Sequence, residues 1–211
     1  GTFIKAALIS ESGEVVSLAR ENVSVLSEQA GYAEREMEAL WQVCAKVVKQ
    51  VIAQSHIAAT AIKGVGISAQ GKGAFLLDKQ HKSLGRAITS SDQRALHIVK
   101  QWQAEGIPQA LYPITRQTLW TGHPVSILRW LKEHEPERYS NIGAVLMSHD
   151  YLRFCLTGEL YCEETNISES NLYNMQTGKY DEQLAEKLGL QNILEKLPPV
   201  IAPNQVAGFV T

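Results

Sequence analysis

The stretch GISAQGKGAFLLD, residues 66–78, admits two readings that lead to different folds. Gly66, four intervening residues and then Gly71-Lys72 match the first part of a P-loop, whose backbone N–H groups wrap phosphate while its lysine reaches the terminal oxygens. The rest of that pattern fails. Gly73 stands where a serine or threonine should hold Mg²⁺, and Ala74 to Asp78 is a short apolar run that reads as a strand where a helix should begin. The stretch is therefore read as strand–turn–strand, with Lys72 at the tip.

Composition narrows what such a turn can serve. The 211 residues are 45% hydrophobic with a net charge of −2, enough for one large or two small cores in a globular chain. Lysine and arginine are scattered rather than clustered, which argues against nucleic acid as a partner. No apolar stretch approaches the length of a membrane span, and no signal peptide opens the chain, so the expectation is a cytoplasmic protein with no membrane partner. Cys44, Cys155 and Cys162 lack metal-ligand spacing and read as reduced thiols; no metal site is expected. The chain begins at Gly1-Thr2 inside a strand-like run and stops at Thr211 after another apolar stretch, as a domain cut from a longer protein would.

Working outward, strands and helices alternate as in a layered α/β domain. Phe3 to Ser10 and Val15 to Val25, joined by Glu11-Ser12-Gly13-Glu14, form an expected antiparallel hairpin. Met37, Leu40, Trp41, Cys44, Val47, Val48, Val51 and Ile52 recur at helical spacing. Ile62 to Ala69 is expected as a buried strand with Ala74 to Leu77 its neighbour. Gln93 to Glu105 is expected as a helix with Leu96, Val99 and Trp102 inward, ended by Gly106 and Pro108. Pro124 starts another, with Leu128 and Leu131 inward and Pro136 stopping it. Ala144 to Met147 reads as a strand, Asp150 as the N-cap of a helix from Tyr151 to Thr157 closed by Gly158, and Asp181 to Leu188 as the last helix. The proline-rich LPPVIAPNQ reads as an extended crossing segment.

Five collinear segments carry a family resemblance. The opening GTFIK resembles the end of the phosphate motif of FGGY-family carbohydrate kinases, and GISAQGKG resembles their G-I-S-G-Q-M-H-G sugar loop. Ser90 to Arg94 resembles W-x-D-x-R, and GHPVSILRWLKEH, residues 122–134, resembles the family signature. Asp150 to Gly158 with Thr165 to Ser168 resembles D-Y-L-x-x-x-L-T-G and T-N-A-S. The departures, with Gly71-Lys72 for Met-His, Ser90 for tryptophan and Ile127 for lysine, are most similar to the branch acting on L-xylulose and 3-keto-L-gulonate. Other pentulose kinases, for D-xylulose or L-ribulose, are the alternative within the family.

The resemblance implies a ribonuclease H-like, actin-type ATPase fold, an α/β domain with a mixed sheet flanked by helices. Residues 1–211 would be the N-terminal, sugar-binding half, with a second, nucleotide-binding domain and a few leading residues outside the chain. It implies ATP and Mg²⁺, a small sugar substrate and a homodimer of the full-length protein. Gly1, Thr2 and Lys5 would meet the γ-phosphate, and Gln70, Gly71, Lys72, Asp92, Trp120 and His123 the sugar. The metal-associated aspartate would precede Gly1 and the catalytic base would follow Thr211, so no catalytic residue is assigned here and the isolated chain is expected not to turn over sugar. Several residues keep a plainer alternative. Lys5 could equally be a solvated strand lysine, Lys72 a solvated turn lysine, Asp92 a helix cap, His123 a packing residue at a helix start, and Trp120 core rather than a sugar platform. Lys72 is the informative one, because an ammonium could pair with the carboxylate of 3-keto-L-gulonate where a histidine suits a neutral sugar. A non-catalytic sugar-binding module of the same fold is the competing class, since this fold also serves sensors and filament proteins.

Overall fold

The computed structural model describes residues 2–211. The expected hairpin opens the chain: β1 (Phe3–Ile9) runs antiparallel to β2 (Val15–Asn22), with Ala6 opposite Ala19. β3 (Glu34–Arg35) leads into α1 (Met37–Ser55), which buries Met37, Leu40, Val47 and Val51 at the expected helical spacing. Val47 and Val51 seat against Ala19, Ile4, Ala6 and Leu8 on one face of the ribbon. Burial of each such valine contributes roughly 1.5–3 kcal/mol. The opposite face, with Phe3, Ile9 and Leu18, is exposed.

The strand expected over Ile62 to Ala69 is not formed. That segment has no ladder partner among the described residues, and its Val65 is 57% exposed. The physical reason lies in its alternation: Ile62 shares a face with Gly64, Gly66 and Ser68, so one side offers almost nothing to pack. The neighbour expected for the Ala74 run is accordingly another one. β4 (Phe75–Asp78) is followed by β5 (Ala87–Ile88), which pairs antiparallel with β3 and touches Ala74 through a bridge at Ile88.

α2 (Leu96–Ala104) starts three residues later than expected and buries Ile98, Val99 and Trp102, while Leu96, expected inward, is exposed. Gly106 does end it, but Pro108 does not begin a loop. It lies in the first turn of α3 (Ile107–Thr115), where a missing N–H costs nothing. α4 (Pro124–His134) buries Leu128 and Leu131 completely, and Pro136 both stops it and opens the short α5 (Pro136–Ser140). β6 (Ile142–Leu146) then pairs antiparallel with β4, Leu76 opposite Val145.

α6 (Ser148–Thr157) closes at Gly158, whose φ of 75° suits a residue without Cβ. Asp150 is not its N-cap; it lies in the first turn, fully buried, and accepts hydrogen bonds from Glu163 N–H (3.1 Å) and Asn166 Nδ2 (3.0 Å). β7 (Cys162–Glu163) leads to α7 (Glu164–Ile167), a 3₁₀ turn at Ser168–Ser170, the antiparallel pair β8 (Tyr173–Asn174) and β9 (Lys179–Tyr180), and α8 (Glu182–Lys187), capped by Asp181. The proline-rich segment contains β10 (Val200–Ile201), parallel to β7. Antiparallel and parallel ladders thus coexist, as in a mixed α/β domain. One core gathers α2, α4 and α8 around Leu76, Ile88 and Val145; a second joins α1 and α6 through Phe75, Leu77 and Tyr151. No helix among the described residues is long and apolar enough to cross a membrane. Cys44, Cys155 and Cys162 are free thiols, Cys162 buried and the others partly so.

Candidate functional site

Three loops meet above β4. The 70–73 turn and the 117–123 loop are stitched together by the Gly73 N–H, which donates to the Gly122 carbonyl at 2.8 Å. Gly122 in turn lies so close to Ser90 that a Cβ would overlap the Ser90 backbone, so glycine is required for this approach. Between the loops opens a cleft of about 520 Å³, lined by Gln70, Gly71, Lys72, Ser90, Trp120 and His123 with the neighbouring Gln117 and Thr118. A larger depression, about 610 Å³, runs along one face of α1 from Trp41 to Ala53. Its lining, Gln42, Lys46, Lys49 and Gln50 included, comes from one helix alone, whereas separate loops bring their polar groups to the three-loop cleft, which is therefore the better site.

Five of the residues expected at the sugar, Gln70, Gly71, Lys72, Trp120 and His123, therefore line one cleft. Trp120 is 49% exposed, not core, and its Nε1 donates to the Ser90 carbonyl at 3.2 Å, which holds the ring at the rim. His123 is almost wholly buried. Its Nδ1 accepts from the Trp120 N–H at 2.9 Å, which fixes the tautomer with the proton on Nε2. Among the described residues the buried Nε2 has no hydrogen-bond partner, and neither do Thr121 Oγ1 and Asn171 Oδ1. Burial, with the Lys72 charge adding to it, pushes the imidazole pKa down to about 3, so His123 presents a neutral N–H donor.

Lys72 has a φ of 65°, left-handed backbone that a lysine seldom adopts, as befits the tip of a tight turn. Its ammonium donates to Glu169 Oε1 at 3.0 Å. Glu169 lies against Gly71, and a Cβ on Gly71 would overlap its carboxylate. Sequence reasoning missed Glu169, which is 97 residues from Lys72 and carries no local signal beyond lying just past the T-N-A-S-like segment.

Asp92 lies elsewhere. It is fully buried, and all its acceptor positions are in use: Oδ2 takes the Ala33 N–H (2.7 Å) and Arg94 Nη2 (2.9 Å), Oδ1 the Arg94 N–H and Nε (2.9 Å each). Nor is it a cap, because α2 begins only after Ala95. Arg94 extends the group by donating to Glu34 Oε1 at 2.6 Å and lying 3.9 Å from the Tyr32 ring centroid. Thr2 and Lys5 are exposed at the start of β1 and do not line the cleft; Gly1 lies outside the described residues. His97, Glu133 and His134 bring ligand-type atoms within 4.8 Å of one another, but Glu133 Oε1 is held by Arg129 at 2.6 Å and the group shares no residue with the cleft.

Known proteins agree with this architecture. Residues 1–211 match the N-terminal domain of the FGGY family of carbohydrate kinases. The chain belongs to that family. It is 71% identical over its whole length to "Probable L-xylulose kinase" of Pasteurella multocida, of which it covers 44%, and 56% identical to "L-xylulose/3-keto-L-gulonate kinase" of Escherichia coli, of which it covers 42%. The chain thus spans less than half the length of these curated relatives. A gluconate kinase structure from Lactobacillus acidophilus superposes with a TM-score of 0.92 at 23% identity, over all of this chain and 42% of that one. The structure of a "xyloylose kinase" from Brucella ovis gives 0.91 at 25% over the same shares. The fold is the ribonuclease H-like, actin-type ATPase fold.

Proposed function

We propose that this chain is the sugar-binding, N-terminal half of an enzyme that phosphorylates a ketose from ATP, with L-xylulose and 3-keto-L-gulonate as its sugars. The observation that carries this reading is the convergence of Gln70, Lys72 and His123 on one cleft beside an exposed Trp120 ring. Vicinal hydroxyls and a keto group need fixed donors and acceptors, and a sugar's C–H face suits an aromatic rim. The names of the two relatives support the choice of sugar.

Phosphoryl transfer needs a held hydroxyl, a base and charge stabilisation on the moving phosphate. Among the described residues no carboxylate is part of the lining, the Glu169 carboxylate beside it is paired with Lys72, and the His123 lone pair is already engaged, so these residues bind and orient the sugar. ATP supplies the phosphoryl group. Gly1, Thr2 and Lys5 are assigned to its γ-phosphate on resemblance, with Thr2 and Lys5 exposed as that role requires. For Mg²⁺ the fit is lacking: Thr2 and β1 contain no carboxylate, and no step is drawn through the ion. Sugar contact by Asp92 would require one of its present hydrogen bonds to give way; as it stands it secures Arg94 and the 90–93 turn. The free thiols fit a cytoplasmic location, and a homodimer of the full-length protein belongs to the same reading.

The test is a coupled ATP-dependent assay of the full-length protein with L-xylulose, D-xylulose, L-ribulose and 3-keto-L-gulonate side by side. Preference for the first and last is expected, and Lys72→Met should raise KM more for the acid sugar than for L-xylulose. Turnover of none of the four would favour a non-catalytic sugar-binding module.

A further inference from the structure

We propose that Glu169, paired with Lys72 beside the cleft, is a specificity-determining residue, one that tunes Lys72 toward neutral sugars and against anionic ones. The inference rests on reading the cleft as a ketose site. Its starting point is that Lys72 is not a bare cation. Its ammonium donates to Glu169 Oε1 at 3.0 Å, with the two side chains 28% and 30% exposed.

The pair is held from both ends. The left-handed backbone at Lys72 directs that residue from the tip of the turn. Glu169 lies in the 3₁₀ turn Ser168–Ser170, where Ser168 Oγ donates to the Thr165 carbonyl at 2.7 Å and the buried Ser170 Oγ accepts the Leu172 N–H at 3.0 Å. The space over Gly71, free of a Cβ, is what admits the carboxylate.

Such a pair suits a hydroxyl better than an anion. An ammonium has three N–H donors, and one is used on Glu169; the carboxylate keeps spare lone pairs. A sugar hydroxyl can accept from Lys72 and donate to Glu169 together. A substrate carboxylate can only accept, and it must approach a lysine whose charge is already compensated by a neighbour of its own sign. Glu169 therefore lowers the advantage that Lys72 would otherwise give an acid sugar.

The experiment measures equilibrium binding of 3-keto-L-gulonate and L-xylulose, each without ATP, to the full-length wild type, Glu169→Gln, Lys72→Met and the double variant. Glu169→Gln is nearly isosteric, and its melting temperature serves as a folding control. The expected result is a rise of roughly tenfold in the acid-to-neutral affinity ratio for Glu169→Gln, the scale of one charge-assisted hydrogen bond, shrinking once Lys72 is methionine. A merely structural role would weaken both sugars together and leave the ratio in place, which overturns the proposal, as does a shift undiminished in the double variant. Wild type that binds neither sugar overturns the ketose reading and this inference with it; wild type that binds both, with no change of ratio in Glu169→Gln, overturns the role of Glu169 alone.

Discussion

At the scale of the residue, His123 shows how a fixed tautomer turns a titratable group into a permanent donor. The Trp120 N–H occupies its Nδ1, and burial, aided by the Lys72 charge, holds the pKa near 3 against 6.5 for an ordinary histidine. The unfolded chain takes up a proton below about pH 6.5 while the folded chain does not until about pH 3. Stability contributed by neutral His123 is thus present above the unfolded value and is lost as pH falls through this window. Between pH 7 and pH 5 the loss from this group is about 2 kcal/mol, at 1.36 kcal/mol per pKa unit. Urea unfolding of wild type and His123→Asn at the two pH values checks it: the variant should lose about 2 kcal/mol less, and equal losses would count against the burial argument. The sequence made the cleft residues near the turn legible because loop and signature each resemble a family segment. It could not decide between platform and core for Trp120, since apolar character says nothing about which side of a loop faces solvent. Glu169 was illegible for a different reason: its partner is brought to it only by the folded chain.

At the scale of the element, Arg94 ties the turn before α2 to β3 and α4. It binds Asp92 and Glu34 and lies near the rings of Tyr32 and Trp130. Replacing it with leucine would leave the fully buried Asp92 carboxylate without a counter-charge. Removal of one partner from a buried pair costs about 3–5 kcal/mol, and Arg94→Leu is expected to lose that much stability in denaturant unfolding. A loss below about 1 kcal/mol would count against the pairing of Arg94 with Asp92 as a support of this turn. The long helices were legible because α1 and α4 repeat their apolar residues over several turns. α3 was not, because proline after glycine reads as a stop whereas a helix accepts proline in its first turn. The two-residue strands β3, β5, β7 and β10 are too short to show any alternation. The segment 62–69 misled in the opposite sense, its apolar content high but its glycines gathered on one face.

At the scale of the whole molecule, alternation of strands and helices indicated a layered α/β domain and no more; the resemblance selected the actin-type fold, and the superposed kinase structures bear it out. The packing of α1 and α6 has one more consequence, for the thiols it encloses. Burial raises the pKa of Cys44, pushes Cys155 up to about 11, and raises Cys162 further still. At neutral pH the thiolate fraction of Cys155 is on the order of 10⁻⁴, so the folded chain is a poor nucleophile. Alkylation by iodoacetamide should therefore stay slow under native conditions and quicken in step with the unfolded population as urea is added. Fast modification of all three cysteines without denaturant would contradict the packing. If the expectation holds, the three cysteines form an intrinsic gauge of conformational opening, readable by mass spectrometry without any label built into the chain.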